Sequence, residues 1–318
     1  MQKPAELQQA LREAITYASR YTKDGQVASY IPELCKTNPS ALEACISLPD
    51  SSICEIFNTG RTKTRFTIQS ISKVIALILA LQTQGIEYVF SKVGMEPSGD
   101  PFNSLMKLET SDERPFNPLI NTGAIVTTSM INSEISFKEI LAFSGELLGD
   151  ADISLNEAVY LSENLHSARN RSLAYLLASK GLMTSDVDQS LDLYLRMCSM
   201  ESNAAGLAHM GLVLSSGGVD PVSGKQLIEG WIVRVVQTLM MTCGMYDGSG
   251  EFAVRVGIPS KSGVGGGIVA CTRQGFGIGI YGPALDSKGN SIGGIRILEY
   301  LSFFLNLHGF AQDSDWKF

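Results

Sequence analysis

Two side chains three residues apart, Ser70 and Lys73, stand at the head of an apolar run, Val74-Ile75-Ala76-Leu77. On a helix such a pair shares one face, about one turn apart. A serine hydroxyl is a weak nucleophile at neutral pH and must give up its proton as it attacks. A lysine can take that proton only when neutral, which requires burial or a nearby cation to bring its pKa down to about 7–8. The apolar neighbours favour such burial. A helix start adds backbone N–H groups and a positive dipole end, both suited to an oxyanion. The same spacing also fits a serine that caps a helix with a surface lysine beside it, so the pair alone does not decide.

A second element bears on the choice. Lys261-Ser262-Gly263-Val264 opens a glycine-rich, β-prone stretch late in the chain. Penicillin-recognising serine enzymes combine a Ser-x-x-Lys helix with a later Lys-Thr/Ser-Gly strand on the opposite wall of the site. The glycine lets a substrate approach the backbone closely, and the following N–H can donate to an oxyanion. Both elements, in that order, describe a serine acyl-transfer site.

These residues must be held by elements the sequence also suggests. Leu7, Leu11, Ala14, Ile15 and Ala18 recur at helical spacing, predicting an opening helix over 4–21. Pro32 disfavours a helix at 30–34. Runs 43–48 and 53–58, separated by Pro49-Asp50-Ser51-Ser52, read as a strand hairpin. A helix over 70–83 follows, bounded by Gly85. Helical patterns then fill 121–132, 136–148, 154–165, 167–180, 185–198, 202–215 and 225–240. The tail turns β-prone at 252–257, 267–272 and 275–281 and ends in a helix over 292–306. With strands near both termini and helices between, the economical fold is α/β of the α+β type. It places a mixed domain at 1–68 with 241–318, a mainly helical domain at 69–240, and the site between them.

Composition narrows the partners. The 318 residues are 44% hydrophobic and carry 25 basic and 32 acidic groups, a net charge of −7. No run of Lys and Arg marks a nucleic-acid surface, and a small-molecule substrate fits better. The amino terminus lacks a signal-peptide pattern, and the most apolar run, 74–81, is shorter than the roughly 18–20 residues of a membrane span. A cytoplasmic location with no membrane partner is therefore expected. The six cysteines, Cys35, Cys45, Cys54, Cys198, Cys243 and Cys271, form no Cys-x-x-Cys and are expected as free thiols. His166, His209 and His308 lack ligand spacing, so no metal and no cofactor is expected.

The chain resembles the serine-dependent glutaminases of the β-lactamase/DD-peptidase-like fold along almost its whole length. The matching blocks are residues 30–34 (Tyr-Ile-Pro-Glu-Leu), 69–73 (Gln-Ser-Ile-Ser-Lys), 96–103, 117–125, 243–246 (Cys-Gly-Met-Tyr) and 261–264. The resemblance implies a central, mainly antiparallel sheet flanked by helices with an inserted all-helical domain. It also implies hydrolysis of L-glutamine to L-glutamate and ammonia by a homodimer or homotetramer. It implies Ser70 as nucleophile, Lys73 as its base, Tyr246 as proton shuttle, and the N–H groups of Ser70 and Val264 around the oxyanion. Glutamine's ammonium would meet Glu163, with Tyr30, Asn121, Asn170 and Tyr194 around its carboxylate and amide. Gln69, Lys261, Ser262 and Gly263 would support them. Gly265 departs from the alanine or serine expected there, and 103–116, with Lys107, Glu109, Asp112 and Glu113, resembles the mobile loop near the site and assembly interface.

Taken residue by residue, plainer roles remain open: a solvated helix glutamate at 163, core-edge tyrosines, a helix cap at Asn121. Glu163 and Asn170 lie seven apart, two turns on one face if the helix is continuous, although 164–167 could break it. Two other functions compete with the first: a β-lactam or peptidoglycan hydrolase, disfavoured by the missing Ser-Asp-Asn motif and export signal, and a ligand sensor that has lost turnover.

Overall fold

The computed structural model describes residues 3–58, 64–98 and 114–311. Its centre is a five-stranded sheet in the order β2-β1-β8-β7-β6, built from Leu42–Leu48 (β1), Ser51–Phe57 (β2), Ser260–Ser262 (β6), Gly267–Cys271 (β7) and Gly277–Tyr281 (β8). Every pairing is antiparallel, with β1 meeting β8 through Glu43 opposite Tyr281. Strands from the two ends of the chain thus share one sheet. A second, three-stranded sheet of Phe66–Thr67 (β3), Ser154–Leu155 (β4) and Met200–Ser202 (β5), order β3-β5-β4, has no counterpart in the sequence reading. Strands of two or three residues are too short to leave a period.

Apolar faces cover the larger sheet on both sides. Helices Pro4–Ala18 and Ile292–Phe304 close one face through Leu7, Leu11, Ile297 and Leu301 against Ile46, Ile278 and Ile280. Helix Ala204–Ser215 packs on the other. There it joins a larger core in which Ser72–Lys92 is the central element, all of Ser72–Leu81 being buried. Several helices start on polar caps: Asn156, Asp186, Asn203 and Ser291 each accept a backbone N–H of the first turn, worth about 1 kcal/mol apiece.

Several expectations need correcting. Residues 252–257 belong mostly to a helix, Ser249–Arg255, whose Phe252 is buried. The β-prone composition yielded to the packing of Phe252 and Val256 in the core. Pro32 opens a short 3-10 helix, Pro32–Lys36, because proline is tolerated at a first helical position. Gly85 breaks the backbone (φ 75, ψ 166), but the chain resumes its helix to Lys92. The resulting Gln69–Lys92 stretch is long and apolar enough to span a membrane by length and composition (mean hydropathy 1.4). More than half of it is buried inside the protein, as in a core helix. Cys45 and Cys54 lie opposite each other across the β1–β2 hairpin and are joined in a disulfide, so not all six thiols are free. Pairing within the hairpin, invisible in cysteine spacing, brings them together. Cys35, Cys198, Cys243 and Cys271 are free.

Candidate active site

Short β3 leads directly to Ser70. Ile68 N donates to Met200 O at 2.9 Å, which anchors the approach. Gln69 then takes a left-handed conformation (φ 50), and Gln69–Ile71 forms a 3-10 turn ahead of helix Ser72–Lys92. Ser70 caps neither element: Ile68 and Ile71 occupy those positions. The stretch after β6 lies hard against this turn. A Cβ on Gly263 would sit 2.5 Å from Ile68 O, and one on Gly265 2.5 Å from Thr67 O. The glycine at 265 is therefore part of a close backbone contact.

Lys73 is 1% exposed. Its Nζ donates to Ser70 Oγ at 2.8 Å and to Asn121 Oδ1 at 2.7 Å. No carboxylate among the described residues lies within ion-pair distance of it, so burial lowers its pKa to about 8. Asn121 is the first residue of helix Asn121–Ile131 and not its cap. Its amide faces Lys73 and continues through Nδ2 to Asn170 Oδ1 at 3.1 Å.

Tyr246 comes from the far side, on a 3-10 turn with φ 51. Two positive-φ residues, Gln69 and Tyr246, thus flank Ser70; such conformations cost about 1–3 kcal/mol each and collect at functional sites. The turn is held by Ser249 Oγ, which donates to Tyr246 O at 2.7 Å, and by Asn290 Nδ2, which donates to Met245 O at 3.1 Å. The Tyr246 hydroxyl is buried beside the Ser70 side chain and the Val264 backbone N–H, and burial raises its pKa well above the usual range. The hydroxyl therefore marks a point shared by Ser70 and Val264. Lys261 is fully buried behind it. Its Nζ donates to Ser262 O and lies 4.5 Å from the Tyr246 ring centroid. Burial, then the charge of Lys73, hold its pKa well below that of a free lysine.

The remaining predicted residues lie close to this centre and to one another, Tyr194 near enough to Glu163 and Tyr30 to feel both. Glu163 lies on helix Glu157–Leu165 and Asn170 on helix Ala168–Ser179, so the helix between them is broken at His166-Ser167. Burial raises the Glu163 carboxyl to about 7, against the lowering effects of a hydrogen bond from Ser199 Oγ (3.2 Å) and the charge of Lys73. The ring of buried Tyr194 lies 6.0 Å from Lys73 Nζ. Tyr30 stands at the rim, 56% exposed, beside Ile31, which packs with Val159, Tyr246 and Val264.

Sequence reasoning missed Cys198 and Ser199. Cys198 is buried, accepts from Ser72 Oγ at 3.7 Å and is hydrogen-bonded to Tyr194; burial pushes its thiol up to about 12. Its i+4 spacing from Tyr194 on one helix was the available signal. Among the described residues no three His, Cys, Asp or Glu gather as metal ligands. The loop at 103–113 lies outside the described residues.

A buried amine with a pKa near neutrality, bonded to a hydroxyl at a helix start and facing a tyrosine hydroxyl, can perform acyl transfer. The half-buried carboxylate and amides nearby can hold an amino-acid head group.

Comparisons with known proteins bear on the family. A family model described as "Glutaminase" matches residues 25–310. The chain is 50% identical to a glutaminase of Clostridioides difficile (strain 630) over 304 residues, 94% of this chain and 97% of that protein. It is 49% identical to "Glutaminase 2" of Clostridium perfringens (strain 13 / Type A), covering 91% and 95%. Among solved structures, the probable glutaminase YbaS superposes with a TM-score of 0.91 at 36% identity, covering 97% and 99%. A probable glutaminase from Bacillus subtilis complexed with 6-diazo-5-oxo-L-norleucine gives 0.85 at 36%, covering 98% of each chain. Its sheet, its helices and its near-complete match to these relatives place the chain in the glutaminase family.

Proposed function

We propose that the protein hydrolyses L-glutamine to L-glutamate and ammonia through an acyl-enzyme on Ser70. The observation that carries this reading is the 2.8 Å contact of Lys73 Nζ with Ser70 Oγ, made by a lysine with no ion-pair partner among the described residues and a pKa near 8. At pH 7 roughly a tenth of such lysines are neutral. Neutral Lys73 takes the Ser70 proton as Oγ attacks the side-chain amide carbon. The oxyanion rests on the N–H groups of Ser70 and Val264. Tyr246 passes a proton to the departing nitrogen and is reprotonated by the one Lys73 took from Ser70; the C–N bond breaks and ammonia leaves. Water then attacks the ester, freeing glutamate and restoring Ser70.

Glu163 receives the substrate ammonium, whose charge draws the carboxyl back towards its ionised form. Tyr30, Asn121, Asn170 and Tyr194 receive the carboxylate and amide. Gln69, Ser262 and Gly263 fix the backbone around Ser70 and Val264, and Lys261 supports the Tyr246 ring. Neither metal nor cofactor enters this chemistry. A cytoplasmic homodimer or homotetramer is part of the same proposal; light scattering of the purified protein tests the oligomeric state, and cell fractionation the location. Ammonia release compared across glutamine, asparagine and a chromogenic β-lactam tests the reaction: turnover of the β-lactam without glutamine overturns it, as does glutamine binding without product.

A further inference from the structure

Among the described residues, one group is hydrogen-bonded to the carboxylate of Glu163: the hydroxyl of Ser199, which donates from Oγ to Oε2 at 3.2 Å. Ser199 is fully buried between the end of helix Val187–Cys198 and the start of β5. A serine at a helix end ordinarily turns its hydroxyl onto nearby backbone groups. Here the hydroxyl reaches a side chain 36 residues away in sequence.

The backbone of Ser199 grips the same helix a second time. Ser199 O accepts Asn156 N at 2.9 Å, extending the β4–β5 ladder by one residue. Asn156 caps helix Glu157–Leu165, its Oδ1 accepting Val159 N at 2.9 Å. Ser199 thus fixes this helix at its first turn and again at Glu163, about two turns further on. The next residue, Met200, accepts the N–H of Ile68, two residues before Ser70. The short stretch 199–200 therefore holds both Glu163 and the approach to the nucleophile.

We propose that Ser199 is a positioning residue for the substrate's α-ammonium, aiming the Glu163 carboxylate without cancelling its charge. This rests on the reading that Glu163 receives that ammonium. A hydroxyl suits the task because it donates one hydrogen bond and brings no charge. It leaves open most of the acceptor positions of an ionised carboxylate, about four in all. A lysine or arginine in its place would pair with the carboxylate and compete with the ammonium. Burial raises the Glu163 carboxyl to about 7, and the bond from Ser199 is the larger of the two effects that oppose it. The hydroxyl thus favours the ionised form as well as its direction.

Calorimetric titration of L-glutamate and of glutarate, which lacks only the α-ammonium, tests the proposal in the parent, Ser199→Ala and Glu163→Gln proteins. Ser199→Ala removes the hydroxyl and keeps the carbonyl that holds Asn156. It should weaken glutamate about tenfold, the loss of one hydrogen bond to a charged group, and glutarate by less than about threefold. KM for glutamine should rise in step with the glutamate constant, with kcat within about threefold of the parent. A serine that served only the packing of the two helices would weaken both ligands alike. Equal losses for the two ligands in Ser199→Ala, or an unchanged glutamate affinity, would overturn the proposal. Glu163→Gln separates this from failure of the underlying reading: it should weaken glutamate selectively. If it treats glutamate and glutarate alike, Glu163 does not receive the ammonium and the role of Ser199 falls with it.

Discussion

The amine of Lys73 stands 2.8 Å from the hydroxyl of Ser70 and 2.7 Å from Asn121 Oδ1, with 1% of its surface exposed. Two neutral oxygen acceptors and an apolar surround leave its charge poorly compensated. The proposed roles of Ser70 as nucleophile and Lys73 as base rest on that pairing, and the predictions follow from it.

The first concerns pH. Burial sets Lys73 near 8, and only the neutral amine accepts the serine proton. Below that value the active fraction falls tenfold per pH unit, so kcat/KM should rise from about pH 6 and level off above about 8. Glu163, raised to about 7 by burial, steepens the acid limb, because its protonated form no longer attracts the substrate ammonium. A pH–rate profile checks this; a flat profile between pH 6 and 8 contradicts it.

Removal of one hydroxyl tests the proton shuttle. Tyr246→Phe keeps the ring over Lys261 and the volume of the site, so the circular dichroism spectrum should not change. Loss of a general acid costs about 10²–10⁴-fold in rate, and kcat should fall in that range. A kcat within a factor of three of the parent would remove Tyr246 from the mechanism.

Substrate recognition turns on Glu163. Glu163→Gln keeps a side-chain oxygen for the Ser199 hydroxyl but loses the charge facing the ammonium. A charge-assisted hydrogen bond is worth about 1.5–3 kcal/mol, so KM for glutamine should rise ten- to a hundredfold with a smaller change in kcat. A zwitterion clamp should also misplace asparagine's amide, one methylene shorter, by about 1 Å, which costs about 10²-fold. Steady-state kinetics on both substrates measure these ratios, and equal kcat/KM values would refute the clamp.

Gly263 offers a purely steric test. An alanine Cβ there would press within 2.5 Å of the Ile68 carbonyl, forcing apart the two stretches that bear Ser70 and Val264. Such strain typically costs about 1–3 kcal/mol. Gly263→Ala should therefore lower Tm by several degrees and reduce kcat more than it raises KM. An unchanged melting curve and full activity would mean that the two stretches move freely.

Much of the helical framework was legible because amphipathic periods and caps survive in sequence. Asn156, Asp186 and Asn203 cap helices where polar residues precede apolar repeats. The three-stranded sheet left no trace, its strands being two or three residues long. Residues 252–257 misled, since Phe252 and Val256 suit a strand but pack as helix residues. In the site, Ser70 and Lys73 announced themselves by spacing, whereas their link to Asn121 crosses 48 residues and is set by packing. Left-handed Gln69 and Tyr246 are equally silent in sequence, because neither is the glycine that usually marks such a backbone. Cys198 and Ser199 gain meaning only once Glu163 and Tyr194 stand beside them.

The central claim is that Ser70 carries the acyl group. Ammonia release from glutamine by Ser70→Ala protein, alongside its melting curve, tests it most directly. The account predicts a loss of at least about 10³-fold with an unchanged fold. Activity near that of the parent, from a protein that melts as the parent does, would contradict it.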